Sequence, residues 1–452
     1  MKVIIIADDF TGALDTATQF SKIGIRTVVY PSTQGKLPDI DSNVPVVVLN
    51  SESRHLKPVD AYSNVYALTQ WALTQRPSII YKKTDSALRG NIGSELQAVS
   101  DANIKGKSIY FLPGYPQNAR TTVNGIHYYE GIPIAESVFG QDPLDPIAYS
   151  DVQMILKAQT DMESRILKRG EPLPAERGNP CIYICDSQVS EDIQHICRQL
   201  PPASSDAPLL LAGCAGFAEY VAKNLLLQAS ANAMGPYQHP APTKLLVVSG
   251  SLNSITMEQL SYSKSCGITS FLLHEDVELS SDYTQTAACR QFVAQIRDVL
   301  DKNNVVILET AGVDYVNESI PKEKYADISQ AIATLIEYTV ADMENYALAV
   351  FGGDTLQAIA NRLFPFGIIP QEEIELGVPV AYAIDRTHQS NIIITKSGGF
   401  GSQDVILKIM RYLHIDVQQN ESTKHPIKSS QISVGAQSSC SAQADVIFEH
   451  GV

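Results

Sequence analysis

Two adjacent carboxylates follow the first apolar run of the sequence. Asp8 and Asp9 come directly after the run Val3–Ala7 and precede Thr11 and Gly12. Paired acids at the end of a strand can bind a polyhydroxy ligand, accept a hydroxyl proton or hold Mg²⁺. Because Asp is also a favoured helix N-cap, either acid could instead begin the next helix, and Thr11 is another candidate cap. The pair indicates a polar site and leaves its chemistry open.

An arginine follows a second apolar run, VVVL, in the segment Asn50–His55. The planar guanidinium of Arg54 suits a carboxylate or a phosphate. A surface ion pair with Glu52 explains the arginine equally well. We assign no role to His55.

The segment Lys82–Gly93 carries three cations, an acid and two hydroxyls between a strand and a helix. Lys82 and Lys83 directly continue an apolar strand, so one of them must face inward, where an ammonium needs an anionic partner. Asp85 can supply that partner, or a bound anion can. Together with Arg54, the segment predicts a cationic pocket for the carboxylate of a small acid.

A fourth segment, Pro113–Tyr129, is rich in proline and glycine at its start and predicts a rigid loop over the same sheet edge. Arg120 and His127 either face the site or brace the loop. The sequence does not separate these alternatives.

Three glycine-rich turns follow apolar runs in the second part of the chain, at 249–251, 352–355 and 397–401. Glycines at strand-to-helix turns expose backbone N–H groups, and the helix N-terminus adds positive potential, so such turns favour phosphate. Each turn alone is weak evidence, but three together predict a nucleotide site. None matches GxxxxGK[ST] or GxGxxG.

The elements that position these residues are short apolar runs alternating with segments of helical periodicity. Fully apolar strands between helices are typical of parallel sheets covered on both faces. We therefore predict an α/β protein of two domains, with largely parallel sheets flanked by helices and the active site in the cleft between the domains. The polar turns fall at the carboxyl ends of strands, where open α/β sheets bind ligands.

A proline-bearing stretch poor in large aliphatic residues, 228–243, gives the domain boundary. We predict a substrate-binding domain over 1–230 and a nucleotide-binding domain over 244–416. Residues 417–452 change to a Gln-, Ser- and Ala-rich composition, and we expect a flexible tail there.

Composition limits the partners. The 452 residues include 34 Lys+Arg and 49 Asp+Glu, a formal charge of −15, which argues against binding of duplex nucleic acid. The sequence has neither a signal peptide nor an apolar run long enough to span a bilayer, which indicates a cytoplasmic protein that binds no membrane. A homodimer is a reasonable expectation for an enzyme of this size.

The segments IADDFTGALD, KKTDSALRGNIGSEL and PGYPQNARTTVNGIHYYEG resemble the N-terminal domain of the four-carbon acid sugar kinase family. VVSGSLNSITMEQL, FGGDTLQAIA and KSGGFGSQD resemble the nucleotide-binding domain of the same family. The resemblance runs in order over about residues 1–410. Members use ATP to phosphorylate the terminal hydroxyl of D-threonate, L-threonate, D-erythronate or 3-oxo-tetronate, and KKTDSALRG is more similar to the D-threonate and D-erythronate kinases.

The resemblance also implies roles for individual residues. Those that it places on the acid sugar are Asp9, Arg54, Lys82, Lys83, Thr84 and Asp85. Those that it places on ATP are Ser251, Gly352, Gly353, Asp354, Thr355 and Gly398. Phosphoryl transfer needs in-line positioning and charge neutralisation, with Mg²⁺ bridging phosphates, although the sequence does not identify the metal ligands.

The resulting expectation is an ATP-dependent kinase, with D-threonate as first choice of substrate and 4-phospho-D-threonate as product. Asp9 is our first candidate to orient and deprotonate the 4-hydroxyl, and Asp354 is the second. Two alternatives come from other classes: an NAD(P)-linked sugar-acid oxidoreductase, against which the missing GxGxxG counts, and a sugar-acid-binding protein without turnover.

Overall fold

Buried strands alternate with helices through most of the chain, in a computed structural model that describes residues 2–31, 43–102, 107–141, 146–174, 179–226, 241–251, 253–273, 283–310, 322–387, 389–396 and 399–416. The described residues lie within one compact unit, 1–417. The expected tail, 417–452, and most of the boundary stretch 228–243 lie outside the described residues. We call residues 2–226 the N-terminal region and residues 241–416 the C-terminal region.

The elements of the N-terminal region are β1 (Val3–Ala7), α1 (Phe10–Ser21), β2 (Thr27–Tyr30), β3 (Val46–Asn50), α2 (Pro58–Thr74), β4 (Ile79–Lys83), α3 (Ile92–Ala102), β5 (Ile109–Leu112), β6 (Arg120–Val123), β7 (Ile126–Tyr129), β8 (Ile132–Pro133), α4 (Val152–Lys157), β9 (Glu163–Leu167), β10 (Cys181–Cys185), α5 (Ser190–Gln199), β11 (Leu209–Gly213) and α6 (Ala215–Leu226).

The elements of the C-terminal region are β12 (Lys244–Ser249), α7 (Ser254–Ser265), β13 (Ser270–Leu272), α8 (Ala287–Asn303), β14 (Val305–Glu309), α9 (Lys322–Val340), β15 (Tyr346–Phe351), α10 (Gly353–Leu363), β16 (Ile368–Glu375), β17 (Val378–Ile384), β18 (Ser390–Lys396) and α11 (Val405–Leu413).

Fifteen of the described strands form one sheet, in the order β13-β14-β12-β15-β18-β17-β16-β2-β3-β1-β4-β11-β5-β10-β9. Pairing is parallel within β2 to β9 of this order and within β13 to β18, whereas β16, β17 and β18 pair antiparallel. The predicted α/β class with a mostly parallel sheet is confirmed. β6, β7 and β8 make a separate antiparallel sheet.

The sheet does not stop between the two regions, where the sequence suggested separate sheets. β16 pairs antiparallel with β2, with Ile368 opposite Val29. Pairing two strands that would otherwise be edges satisfies their exposed N–H and C=O groups, which is a general reason for sheets to join. The hairpin of β16 and β17 has no counterpart in the simple strand–helix alternation that we read from the sequence.

Helices cover both faces of the sheet. In the N-terminal region α1 and α6 bury Phe10, Leu14 and Phe217 on one face, and α2 and α3 bury Val65 and Leu96 on the other. In the C-terminal region α8, α9 and α10 lie on the same side as α1, whereas α7 and α11 build a third core on the opposite side. The fully apolar strands are explained by this coverage, because both of their faces are buried.

Candidate active site

Three of the sequence motifs meet at the carboxyl end of β1. Ala7 is in register with Asn50 on β3 and with Lys83 on β4. α1 leaves β1 toward one face of the sheet, whereas α2 and α3, which follow β3 and β4, pack on the other. Helices that diverge in this way open a crevice at the carboxyl edge, where open α/β sheets bind ligands.

Asp9 is the N-cap of α1. Its Oδ1 accepts hydrogen bonds from the backbone N–H of Gly12, at 3.0 Å, and from Arg54 Nη2, at 2.7 Å. Thr11, the other candidate cap, lies within the first turn, because the helix begins at Phe10. The Asp9 side chain remains 23% exposed, so it can contact a ligand while it caps the helix.

Arg54 also pairs with the more deeply buried Asp8. Its Nε donates to Asp8 Oδ2 at 2.8 Å, and the arginine side chain is only 10% exposed, which is inconsistent with a surface pair to Glu52. Burial acts to raise the pKa of Asp8, but the cations Arg54 and Lys83 outweigh it and hold the pKa below its ordinary value. Burial likewise acts to lower the pKa of Arg54, and the facing carboxylates raise it well above the usual range.

Lys83 lies under the first turn of α1. Its Nζ is 3.7 Å from Asp8 Oδ1, and a Cβ atom at position 12 would lie 2.4 Å from the same Nζ. Only glycine therefore fits at Gly12 without moving the lysine. Burial acts to lower the pKa of Lys83, but the neighbouring Asp8 and Asp9 raise it above the ordinary value.

Lys82 points to the opposite side of the sheet, as expected for the adjacent residue of a strand. It is completely buried, with Nζ 2.9 Å from Glu95 Oε2 and 2.7 Å from the backbone oxygen of Lys83. Glu95 also accepts a hydrogen bond from Ser53 Oγ. Burial raises the pKa of Glu95, against the effect of Lys82. Our sequence interpretation did not include Glu95. Its position one turn into the helix that follows the two lysines could have indicated it as their partner.

Asp85 is bound by a second arginine. Arg89 donates from Nε to Asp85 Oδ2 at 2.8 Å and from Nη2 to Oδ1 at 3.1 Å. Burial acts to raise the pKa of Asp85, but Arg89 and Arg54 lower it well below the usual value. The neighbouring Thr84 is buried, and its Oγ1 has no hydrogen-bond partner among the described residues.

The predicted cationic pocket is therefore balanced internally. Its carboxylates and cations are equal in number: Asp8, Asp9, Asp85 and Glu95 against Arg54, Lys82, Lys83 and Arg89. The sequence left open whether the lysines pair with a carboxylate of the chain or with a bound anion. The structure contains carboxylate partners for both lysines, and in neither case is Asp85 the nearest one.

The segment 113–129, predicted as a rigid loop, instead contains the antiparallel strands β6 and β7, and His127 and Arg120 brace it. His127 is buried between Thr122 Oγ1, 3.0 Å from Nδ1, and the backbone oxygen of Ser86, 3.0 Å from Nε2. Burial lowers the pKa of His127 to about 4. Arg120 lies over the ring of Tyr129, with Cζ 4.9 Å from the ring centroid.

In the C-terminal region, β12 and β15 are neighbours whose following helices also diverge. Ser249 is in register with Phe351, and α7 follows β12 on one face of the sheet while α10 follows β15 on the other. The turns 249–251 and 352–355 thus border a second crevice at a carboxyl edge.

These two turns pack closely against each other. Gly352 has a φ of 118°, a backbone conformation that favours glycine, and a Cβ there would lie 3.2 Å from the N atom of Ser251. A Cβ at Gly250 would lie 2.0 Å from Oγ1 of the buried Thr355. Asp354 is exposed in the first turn of α10. In the third turn, Gly398 lies outside the described residues.

The two crevices approach each other through α1 and α10. A Cβ at Gly353, the first residue of α10, would lie 3.2 Å from Thr11 Oγ1 in the first turn of α1. One turn further along α10, Gln357 Nε2 donates to the backbone oxygen of Pro31 at 2.7 Å, and Gln357 Oε1 accepts from Asn50 Nδ2. The start of the helix after GGDT therefore contacts the start of the helix after ADDFTG.

A buried lysine that the sequence interpretation missed lies beside the third turn. Lys396 Nζ donates to Thr256 Oγ1 at 2.9 Å and to the backbone oxygen of Phe400 at 3.3 Å. Burial lowers the pKa of Lys396 to about 8, against a smaller opposing effect of Glu375. A lysine that continues an apolar strand was the signal, the same one that drew attention to Lys82.

Asp15, three residues along α1 from Gly12, is a further carboxylate on the helix that contacts α10. Burial raises its pKa to about 6; Lys83 acts to lower the pKa, and Glu373 on β16 acts to raise it. Apart from its helical spacing, nothing in the sequence distinguishes Asp15 as a site residue.

A cavity of about 360 Å³ lies on the other side of Arg54, toward α3 and α4. Its lining includes Arg54, Arg89, Asn91 and Gln159, and none of the described residues of the C-terminal region. In the part of the chain that the structure describes, no group of three or more His, Cys, Asp or Glu side chains is placed to hold a metal ion. No helix in that part is long and apolar enough to cross a membrane.

Comparison with known domain families gives two matches. Residues 3–221 match a sugar-binding N-terminal domain, and residues 246–406 match a nucleotide-binding C-terminal domain. Among solved structures, a Salmonella typhimurium protein has a TM-score of 0.71 at 21% identity and covers 91% of this chain and 99% of its own. A Haemophilus influenzae protein has a TM-score of 0.67 at 20% identity, covering 91% and 100%. These likenesses support the fold.

Curated relatives match over nearly the whole of both chains. A D-threonate kinase of Salmonella typhimurium is 28% identical, with 91% of this chain and 98% of its own covered. A D-erythronate kinase of Heliobacterium modesticaldum is 24% identical, covering 91% and 97%. A 3-oxo-tetronate kinase of Burkholderia multivorans is 27% identical, covering 90% and 96%.

Proposed function

The chain belongs to the four-carbon acid sugar kinase family, and on that premise we propose that it transfers the terminal phosphoryl group of ATP to the 4-hydroxyl of a four-carbon sugar acid. D-threonate, giving 4-phospho-D-threonate, is the first candidate substrate. D-erythronate, L-threonate and 3-oxo-tetronate are the alternatives within the family.

The contact between the first turns of α1 and α10 is the observation that carries this proposal. Thr11 follows the acid pair of one crevice, and Gly353 belongs to the phosphate-type turn of the other. A kinase must hold a hydroxyl and a γ-phosphoryl group in line and within contact distance. A polyol bound at Asp9 and a nucleotide bound along α10 would bring their reacting ends together there.

On the acid side, Arg54 and Lys83 are the proposed contacts for the substrate carboxylate, with Thr84 and Asp85 beside them. Arg54 uses Nε and Nη2 for Asp8 and Asp9, so a ligand carboxylate would be bound through Nη1. Thr84 Oγ1, which has no hydrogen-bond partner among the described residues, suits a ligand hydroxyl. Lys82, which is enclosed with Glu95, would act on the shape of the site rather than touch the substrate.

On the nucleotide side, we propose that ATP is bound by Ser251, Gly352 to Thr355 and Gly398. The backbone N–H groups and the N-terminus of α10 would bind phosphate oxygens. Mg²⁺ would be held mainly by phosphate oxygens, and Asp354, which is exposed at the turn, is the candidate carboxylate ligand on this side. When bound, Mg²⁺ would neutralise phosphate charge.

Asp9 is the proposed group that orients the 4-hydroxyl and accepts its proton. Its Oδ1 is used by Gly12 and Arg54, which leaves Oδ2 for the substrate hydroxyl. The hydroxyl oxygen then attacks the γ-phosphorus, the bond to the β,γ-bridging oxygen breaks, and ADP leaves with that oxygen. Asp354 is the second candidate for the same role.

The test is an assay of ADP formation by the full chain with a panel of four-carbon acids. We expect ADP to form only in the presence of the acid that is the substrate. The amount of phosphorylated acid should equal the amount of ADP. An NAD(P)-linked oxidoreductase would instead change absorbance of the nicotinamide, and a binding protein would retain the acid without turnover. Because the relatives named for three substrates lie between 24% and 28% identity, the panel must choose the acid.

Three further expectations from the sequence belong to this proposal. They are the division into a sugar-acid domain over 1–230 and a nucleotide domain over 244–416, a cytoplasmic location, and a homodimer. Light scattering of the purified chain would test the last, because it reports molecular mass directly.

A further inference from the structure

Two buried carboxamides hold the loops that carry the proposed ligand contacts. We propose that Asn91 positions the loop of Arg54 for the sugar acid, and that Gln259 positions residues 400–402, at the described end of the third glycine-rich turn, for ATP. The inference rests on the proposed function, since it assigns each residue to one of the two substrates. Neither side chain was assigned a role by the sequence interpretation.

Asn91 binds the Arg54 loop through three backbone oxygens. Its Nδ2 lies 2.9 Å from the oxygen of Ser53, 2.8 Å from that of Leu56 and 3.3 Å from that of Arg54. The side chain is buried. On the other side of the loop, the N–H groups of Ser53 and Arg54 donate to the backbone oxygen of Asp8, at 3.0 and 3.2 Å. The loop is thus fixed through both its donors and its acceptors.

The residue before Asn91 adds a steric limit. Gly90 has a φ of 87°, and a Cβ there would lie 3.1 Å from Arg54 Cγ and 3.2 Å from its backbone oxygen. Gln159 Nε2 in turn donates to the backbone oxygen of Gly90 at 2.9 Å. The residues just before α3 therefore hold Arg54 in place, and the Asn91 amide supplies the hydrogen bonds that do so.

Gln259 makes the equivalent contact in the C-terminal region. Its Nε2 lies 3.1 Å from the oxygen of Phe400, 2.8 Å from that of Gly401 and 3.1 Å from that of Ser402. Its side chain is fully buried. Lys396 shares the oxygen of Phe400. Gly401 has a φ of 85°, a backbone conformation that favours glycine.

The chemistry of the amide explains the arrangement. An amide NH₂ supplies two donors without charge, so it can hold several converging carbonyls and leave no buried ion. Loss of the donors leaves those carbonyls unpaired and lets the loop move, and displacement of a binding group by about 1 Å can cost roughly 10²-fold in rate. Each effect should be confined to the substrate whose loop is released.

The experiment measures both KM values for Asn91→Ala and Gln259→Ala in the full chain. We expect Asn91→Ala to raise KM for the sugar acid at least tenfold with KM for ATP within twofold, and Gln259→Ala to do the reverse. Asn91→Ser, which keeps one donor, and Gln259→Asn, which keeps the amide one methylene short, are milder variants expected to shift the same KM less; they decide the question if an alanine variant does not fold.

Two matched controls account for lost stability. Asn224 donates to the oxygen of Cys197 at 3.0 Å away from both crevices, and Arg297 donates to the backbone oxygens of Tyr338, Thr339 and Ala341. Asn224→Ala and Arg297→Met should lower the melting temperature and leave both KM values unchanged. Equal shifts of both KM values in Asn91→Ala or Gln259→Ala, or no shift, would overturn the inference. An inactive wild-type chain would instead overturn the proposed kinase function.

Discussion

Arg54 is the residue that most directly tests the acid side of the site. It connects Asp8 and Asp9 and is the proposed carboxylate contact. We expect Arg54→Ala to raise KM for the sugar acid about 10- to 150-fold, because a charge-assisted hydrogen bond contributes about 1.5–3 kcal/mol. KM for ATP should change little. The melting temperature should also fall, since two carboxylates lose their partner.

A surface arginine provides the control for Arg54. Arg76 pairs with Asp206, and both side chains are largely exposed. Arg76→Ala should leave both KM values and the melting temperature near wild type. A change in KM for ATP in Arg54→Ala would assign the arginine to the nucleotide site.

For Asp9, the cap and the catalytic role give different results in one variant. Asn caps a helix about as well as Asp, so Asp9→Asn should keep the cap and lower the melting temperature only through the weakened contact with Arg54. If Asp9 accepts the hydroxyl proton, kcat should fall about 10²–10⁴-fold, while binding weakens less. Asp151, which caps α4 through the N–H of Gln153, is the matched control, and Asp151→Asn should change neither quantity. A kcat for Asp9→Asn within threefold of wild type would move the role to Asp354.

Asp15 should make stability depend on pH in a defined direction. Its pKa in the folded chain is about 6, above the ordinary value of 3.8, so between these values the folded state binds more protons than the unfolded state. This contribution to stability is present at low pH and is lost as pH rises through 6. We expect Asp15→Asn to be more stable than wild type at pH 7.5 by about 1–3 kcal/mol.

The difference between wild type and Asp15→Asn should shrink as pH falls below 6, and thermal unfolding of both chains from pH 4.5 to 7.5 measures it. His127 acts in the opposite sense, because its pKa of about 4 lies below the ordinary 6.5 and its contribution is lost as pH falls through that interval. The two chains share this background, so their difference isolates Asp15. A difference that does not vary with pH would place the titration elsewhere.

At the level of elements, the start of α10 should control nucleotide binding. We expect Gly353→Val to abolish ATP binding, because a branched side chain would occupy the space between the phosphate-type turn and Thr11. Calorimetric titration with ATP measures this. Gly267→Val is the control, since a Cβ there meets nothing within 4 Å. Its positive φ makes some destabilisation expected, but ATP affinity should be retained. Normal ATP affinity in Gly353→Val would reject the assignment of this turn.

The same divergence of helices occurs at both proposed ligand sites. α1 and α2 leave neighbouring strands toward opposite faces, and so do α7 and α10. At each place, backbone N–H groups and helix N-termini come to a crevice at the carboxyl edge, which requires no particular side chain. The side chains then determine which ligand fits.

On the scale of the whole molecule, one sheet links the region of the acid motif to the region of the glycine-rich turns. The pairing of β2 with β16 and the hydrogen bonds of Gln357 with Asn50 and Pro31 connect them. From the Gln-, Ser- and Ala-rich composition of residues 417–452 we expect a flexible tail there. We expect a chain ending at Asp416 to keep the melting temperature, both KM values and kcat of the full chain. A loss of activity would give the tail a part in the site.

The sequence alone predicted the fold class because strand and helix periodicity are local properties. Val3–Ala7 is uniformly apolar, and a run of this kind is buried on both faces whatever the neighbouring strands are. The family resemblance likewise depended on local motifs. The convergence of Asp9, Arg54 and Lys83 followed from their shared position at strand ends.

What the tertiary structure decided is how charges pair and where regions join. Lys82 and Lys83 are adjacent in sequence, yet one binds Glu95 on one side of the sheet and the other faces Asp8 on the opposite side. Neither partner is a neighbour in sequence, and Asp85, which is, binds Arg89 instead. The joined sheet is the same kind of result. Pairing of charges and of strand edges depends on which groups are brought within a few ångströms by packing, and local sequence patterns carry no information about that distance.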